Sequence, residues 1–234
     1  MVMKSLIVEF KELLKEERWD IDYHLPPVEI AKFDKEILTK VESCATIIKD
    51  KKNPTLEPEK KFIYIDISAI DNTTGIIVNP QELVGEEAPS RARKLVKKGD
   101  IIISTCRPTR GAIAIVPEEL DGQICSTGFS VIRANKDVNT EYLHFVLRSE
   151  STKEQFRKFS TGSSYPAILD DDVLKTLIPL PNKENQDKIA KLVTEATKIR
   201  NSKIEKANKE WNDGINSVID QLKANKYTFS DELV

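Results

Sequence analysis

The strongest chemical signal in the sequence is a run of cations. In "SRARKLVKKGDIIISTCRPTRGA", Arg91, Arg93, Lys94, Lys97, Lys98, Arg107 and Arg110 stand against one acid, Asp100. The whole chain has a formal charge of −2, so the run is a local reversal, and any nucleic-acid face must be local too. The run splits around "DIIIST", which reads as a strand, and a hairpin there would bring both halves toward one face. The second half, Arg107-Pro108-Thr109-Arg110-Gly111, is a tight loop whose arginines project outward. Guanidinium forks match phosphate oxygens and the acceptor edge of guanine. The plainer reading of such a run is a solvated basic face.

Two loops of small polar residues accompany it. "CSTGFS" carries Ser126 and Thr127, and "TGSSYPA" carries Ser163, Ser164 and Tyr165. Hydroxyls and backbone N–H groups in such loops can hold phosphates without reading sequence. Neither loop is a nucleotide cradle, because no GK[ST] run opens a helix. Asp170, Asp171 and Asp172 invite a metal reading, but consecutive side chains diverge and make poor joint ligands. They fit the start of a short helix better, with Asp170 or Asp171 as N-cap. Enzyme templates fail in turn. There is no G-x-S-x-G and no H-E-x-x-H. His24 and His144 are the only histidines. Asn53-Pro54 and Asn79-Pro80 do not continue into the Asn-Pro-Pro-aromatic run of an amino-methyltransferase, and the glycine-rich loop for a methyl donor is missing. No catalytic residue and no metal ligand is assigned.

The chain has 234 residues, enough for one large domain or a domain with an appendage. Cys44, Cys106 and Cys125 are odd in number, far apart and without a CxxC pair, which points to reduced thiols in a cytoplasmic protein. With no Cys pair near a histidine, a structural zinc site is not expected. The N-terminal apolar run is too soon broken by charge for a signal peptide, and no stretch nears the roughly 18 apolar residues of a membrane span.

The elements that must position these residues follow from periodicity. Leu6, Ile7, Phe10, Leu13 and Leu14 predict an amphipathic helix over about residues 5 to 18, and a second is expected over about 30 to 43. From Lys61 the pattern turns to short β-branched runs: "KFIYIDISAI", "IIV", "DIIIST", "GAIAIVP", "GQICSTGFSVIRA" and "KTLIPLP". One or two helices interrupt them at "NTEYLHFVLRSESTKEQFRKF", with Asn139 or Thr140 as N-cap. The fold class is α+β: a compact curved β-rich domain with flanking helices over residues 1–182. A long helix over 183–226 and a tail over 227–234 follow. On that helix Ile189, Leu192, Val193, Ala196, Ile199, Ile204, Ala207, Trp211, Ile215, Val218 and Leu222 fall mostly three and four apart, with one five-residue skip. About 40 residues at 1.5 Å each span roughly 60 Å, too long a stripe to bury on a small β domain. The stripe requires a partner helix. The expected seam runs through Ile189, Leu192, Ala196, Ile204, Trp211, Ile215, Val218 and Leu222.

Taken in order, several phrases resemble the specificity subunit of type I restriction-modification systems. They are "RWDIDYHLPP", "FIYIDISAIDNTTGII", "GDIIISTCRPTRGAIAIVPEELDGQICSTGFSVIRA", "EYLHFVLRS" and "FSTGSSYPAILDDDVLKTLIPLPNKENQDKIAKLV", the last containing Gln186. The resemblance implies a target recognition domain that reads one half of a split double-stranded DNA site. It also implies a helix that serves as spacer and docks methyltransferase subunits. Methylation and cleavage, with S-adenosylmethionine and ATP, would belong to methyltransferase and restriction subunits, and this chain would hold no cofactor. The usual subunit has two recognition domains and two spacer helices. This chain has one of each and no internal repeat, so it looks like a half-length form. A homodimer with antiparallel helices would restore the pair and imply inverted half-sites.

On this reading Arg107, Thr109 and Arg110 are the candidates for base edges, and Ser163, Ser164 and Tyr165 for the DNA backbone. Arg91, Arg93, Lys94, Lys97, Lys98, Ser126 and Thr127 complete the expected DNA-binding set. Three alternatives stay open: a DNA-reading subunit of another phage-defence complex, a DNA-modifying enzyme with an unrecognised site, and a coiled-coil adaptor whose β domain binds protein.

Overall fold

The run Ile101-Ile102-Ile103 is buried on both of its faces, and the architecture follows from that. The structure, a computed structural model, describes residues 9–224 apart from 17, 20, 26 and 163. In chain order the strands begin with β1 (Leu38–Lys40), β2 (Ala45–Ile47), β3 (Lys61–Ile65), β4 (Ile70–Asp71), β5 (Ile76–Ile77) and β6 (Gln81–Val84). They continue with β7 (Ala92–Leu95), β8 (Ile101–Ser104), β9 (Ile113–Ile115), β10 (Ile124–Ser126), β11 (Phe129–Ala134) and β12 (Leu177–Pro179). The helices are α1 (Phe10–Glu16), α2 (Ile21–His24), α3 (Thr140–Leu147), α4 (Glu150–Phe159), α5 (Asp170–Lys175) and α6 (Lys183–Lys223).

Two four-stranded sheets carry the β core, in the orders β6-β3-β10-β7 and β2-β11-β8-β9. They share an apolar cluster with Ile65 and Cys125 from one sheet and Ile102, Ala114 and Val131 from the other. The opposite face of β8 and β11 gives Ile101, Ile103 and Ile132 to a second cluster with Tyr142, Leu143, Leu147 and Phe156 of α3 and α4. A strand covered by a sheet on one side and helices on the other has no polar face, so it reads as a continuous apolar run. Truncating Ile103 to alanine in such a site costs about 2–5 kcal/mol.

The second expected helix does not form. Residues 30–47 make 3₁₀ turns at Ile30–Lys32, Lys35–Ile37 and Val41–Ser43, with β1 and β2 among them. Asp34 accepts the Glu36 N–H and starts a single turn, after which Leu38, Thr39 and Lys40 pair antiparallel with Pro179, Ile178 and Leu177. Distant pairing overrides a helical spacing that was only local. Of the first expected helix the described part is α1, and Leu6 and Ile7 lie outside the described residues. Arg18 caps the C-terminus of α4, its guanidinium donating to the carbonyls of Phe159 (3.2 Å) and Ser160 (2.9 Å). Asn139 is the N-cap of α3 and accepts the Tyr142 N–H at 2.8 Å. The N-cap of α5 is Leu169, one residue earlier than expected, and its N–H donates to Asp172 at 2.8 Å.

Contacts divide the chain into Met1–Ala190 and Lys191–Val234, so the boundary falls inside α6 and later than the expected 182. Gln186 explains the shift. Its amide is buried, accepts the Asn139 N–H at 3.0 Å and donates to the Pro181 carbonyl at 2.7 Å, fastening the first turns of α6 to the β-rich unit. In the second unit the expected stripe lies exposed at Leu192 (65%), Ile199 (58%), Trp211 (70%) and Leu222 (48%), and Ile219 joins it. The tail 227–234 lies outside the described residues. Among the described residues no helix is long and apolar enough to cross a membrane.

His144 on α3 gives the fold a pH signature. Its Nε2 lies 3.0 Å from the Ile113 carbonyl, which only accepts, so Nε2 carries the proton. Gly75 (φ 70°) lets the β4–β5 turn approach so closely that a Cβ there would lie 2.6 Å from that nitrogen. Burial pushes His144 down to about 4; the bond to Ile113 opposes this and the Arg148 charge adds to it. The unfolded chain, titrating near 6.5, takes up the proton first. The contribution of His144 to stability therefore falls as pH drops from about 6.5 to 4 and is flat above that window, by on the order of 3 kcal/mol. Urea midpoints across that range will show this slope, and His144→Gln will flatten it. An unchanged slope in the variant would assign the effect to other groups.

Candidate nucleic-acid interface

The expected hairpin between the two halves of the cation run does not form, because β7 and β8 belong to different sheets. Of the first half, Arg91 comes to the same end as the second half by another route. β7 pairs with β10 so that Ala92 faces Ser126, and β8 pairs with β11 so that Ser104 faces Phe129. Arg91, the Thr127–Gly128 link and the segment from Thr105 onward therefore lie at one common end of the two sheets. Main-chain hydrogen bonds tie them into a ledge. The Thr127 N–H donates to the Arg91 carbonyl at 2.8 Å, and the Thr105 N–H to the Gly128 carbonyl at 2.8 Å. The Thr105 hydroxyl donates to that same carbonyl at 2.9 Å. The Ile168 N–H donates to Thr105 at 3.0 Å and the Arg107 N–H to Pro166 at 2.7 Å, bringing in the loop 161–167. A Cβ on Gly128 would sit 2.9 Å from Ile67 Cδ1, so that side-chain end would have to shift to admit one.

Arg107 is the one non-glycine among the described residues with positive φ (φ 49°, ψ 54°). Pro108 disfavours right-handed α geometry at the residue before it. The left-handed region costs an L-residue roughly 1–2 kcal/mol. Strain of this kind persists where the surroundings impose it, and it clusters at functional sites. The Arg107 guanidinium lies over the Tyr165 ring, 4.9 Å from its centroid, and Tyr165 itself is 77% exposed. The 3₁₀ turn Pro108–Arg110 follows, with Arg110 exposed and Thr109 half-buried. Gly111 (φ 75°) ends it, and Lys153 Cε of α4 lies 3.3 Å from where a Cβ there would be. Sequence reading missed Lys153, which has no local signal linking it to this loop.

The other expected site residues have different surroundings. Ser126 is fully buried, and its hydroxyl accepts the Gly128 N–H at 3.2 Å. The Lys94 ammonium donates to the Phe129 carbonyl at 2.6 Å and so links the two sheets. The Arg93 guanidinium turns back to the carbonyls of Pro89 and Ala92. Lys97 and Lys98 sit in the turn before β8, at the end opposite to the ledge, and Lys98 pairs with Glu118 at 2.6 Å. Beneath that turn the wholly buried carboxylate of Asp100 accepts from the Lys97 N–H (2.8 Å) and from Arg133 (2.7 and 3.0 Å). Arg91, Thr127, Ser164 and Tyr165 are exposed. Ser163 lies outside the described residues. The arrangement at the ledge offers exposed guanidinium forks, a hydroxyl and an aromatic face along one rim, chemistry suited to phosphates and base edges.

The chain as a whole is similar to known proteins. The family described as "Type I restriction modification DNA specificity domain" matches residues 35–211. The specificity subunit of the type I restriction enzyme HindI from Haemophilus influenzae is 34% identical over 137 residues, 57% of this chain and 27% of that protein. The MjaIX specificity subunit of Methanocaldococcus jannaschii is 26% identical over 146 residues, 60% of this chain and 33% of that one. Among solved structures, the HsdS subunit from Thermoanaerobacter tengcongensis is 42% identical with a TM-score of 0.64, covering 77% of this chain and 46% of its own. A chain from a structure of complex assembly and conformational transition of the type I R-M system is 39% identical, also with TM-score 0.64, over 83% of this chain and 50% of that one. The chain thus spans at most about half the length of these relatives.

The three thiols report on the ledge. Burial pushes Cys44 up to about 11 and Cys125 up to about 12, whereas Cys106 is exposed beside Arg107. The thiolate is the reactive species. A disulfide reagent at pH 8 will label one thiol per native chain within minutes and all three in denaturant. Two or more fast thiols in the native protein would contradict the described burial.

Proposed function

Because the chain belongs to the type I restriction modification DNA specificity domain family, we propose that it reads one half-site of a split double-stranded DNA target and performs no catalysis itself. The observation that carries this reading is the ledge, where main-chain bonds gather Arg91, Thr127, Arg107 and Tyr165 at one end of two sheets. Arg107 and Arg110 are the proposed base readers. Arg91, Thr127, Ser164 and Lys153 are the proposed phosphate contacts. Lys94 and Ser126 serve the fold instead, given their inward bonds. Thr109 is half-buried and supports the arginine turn. Methylation and cleavage fall to partner methyltransferase and restriction subunits, which hold S-adenosylmethionine and ATP. The exposed stripe from Leu192 to Leu222 supports a role for α6 as spacer and helix-pairing surface. Two copies paired antiparallel would read inverted half-sites.

Equilibrium selection from randomised duplexes tests the reading. Arg107→Ala or Arg110→Ala will relax preference at one base-pair position, at a cost of about 1–3 kcal/mol on the preferred sequence. Lys153→Ala will weaken all sequences alike and lower the salt slope by about one. If neither arginine variant changes affinity or preference, the base-reading assignment fails. For the helix, light scattering will give a dimer mass for the wild-type chain and a monomer mass for Trp211→Glu. A variant that stays dimeric would move the interface off this stripe.

A further inference from the structure

We propose that Tyr165 is a positioning residue for sequence readout, its ring holding the Arg107 guanidinium in place before DNA arrives. The inference rests on the proposal that Arg107 reads a base. Two contacts bind Arg107 to the loop that carries Tyr165, far away in sequence. The ring stacks under the guanidinium at 4.9 Å, and the next carbonyl, that of Pro166, accepts the Arg107 N–H at 2.7 Å. The tyrosine is fixed in turn by its own loop. Thr161 and Ala167 exchange hydrogen bonds of 2.9 Å across the loop's neck, and Gly162 (φ 87°) makes the turn, with Tyr165 O only 3.1 Å from where a Cβ there would lie.

A solvent-facing aromatic with 77% exposure gains little by burial, so packing does not explain its place. A free arginine surrenders much rotamer freedom when it docks on a base edge. Here the Tyr165 ring under the guanidinium removes part of that freedom in advance. A guanidinium that rests on a ring by its face keeps its in-plane N–H donors, which leaves the fork available to guanine O6 and N7. This assigns Tyr165 a different part from that of its hydroxyl as a phosphate contact, and the two parts separate cleanly by substitution.

The test uses the full chain, a pool of duplexes with a randomised window, and affinities over a salt series. Tyr165→Phe keeps the ring and is expected to match wild type in preference and salt slope. Tyr165→Leu is expected to leave the salt slope unchanged. It should reduce discrimination about two- to fivefold, the scale of an exposed cation–π contact. The loss should fall at the same base-pair position that Arg107→Ala relaxes, and the double variant should be no worse than Arg107→Ala alone. Three results overturn the inference while leaving the base-reading proposal intact. One is loss of preference in Arg107→Ala but not in Tyr165→Leu. Another is loss at a different position. The third is uniform weakening with a lower salt slope in Tyr165→Phe, which would make the hydroxyl a phosphate contact. If Arg107→Ala changes no preference, the base-reading proposal and the inference fall together. Thermal unfolding of each variant confirms that the fold is unchanged.

Discussion

Strand β8 has no face to give to water, and the rest of the β-rich unit is arranged around that constraint. Ile102 enters the cluster shared by the two sheets, while Ile101 and Ile103 enter the one beneath α3 and α4. Everything polar that the strand brings must then lie at its ends. At one end Asp100 is taken fully inside and is tolerated because Arg133 and a backbone N–H saturate it. Removing either partner would strand a buried charge, the costly case for such pairs. At the other end Ser104 turns its hydroxyl to the Cys106 carbonyl, and the chain leaves into the arginine loop. The same double burial thus produces both a closed polar end and an open one.

Fastening of the β-rich unit to its helices relies on a few fully satisfied polar side chains. Gln155 is buried on α4 and bonds both the N–H and the carbonyl of Leu177 at 2.8 Å, joining the helix to β12. Gln186 does the same between α3 and the start of α6. The Tyr142 hydroxyl reaches the Pro179 carbonyl at 2.8 Å. Each such group fixes one geometry, since a slipped helix would leave a buried donor unpaired. The first turns of α6, up to Ala190, are therefore held to the β-rich unit by hydrogen bonds as well as by packing.

How much of this was legible in the sequence depended on whether the determining contact was local. Apolar β8, β9, β11 and β12 declared themselves by composition, and the N-cap of α3, narrowed to Asn139 or Thr140, by its place before an apolar helical pattern. β6 and β7 did not, because Gln81, Glu82, Arg93 and Lys94 give them the look of loops. The helix expected over 30–43 failed where Leu38 met Pro179, a partner far away in the chain. At the ledge, Arg107 and Arg110 could be picked out as outward arginines in a tight loop. The inward turn of Lys94 and the burial of Ser126 could not, since both follow from how one sheet lies on the other. The stack of Arg107 on Tyr165 joins two loops that no spacing rule connects.

The ledge is held together by backbone atoms. Thr127 to Arg91, Thr105 to Gly128, Arg107 to Pro166 and Ala167 to Thr161 are all main-chain bonds. Gly111 (φ 75°) holds a backbone that L side chains rarely adopt, and a Cβ on Gly128 would press on Ile67. A rim built this way is a socket whose shape does not depend on what its exposed residues are. Substitutions at solvent-facing sites typically move stability by no more than about 0.5 kcal/mol. Variation could therefore exchange the displayed side chains, and with them the surface offered to a partner, while the scaffold beneath stays as stable as before.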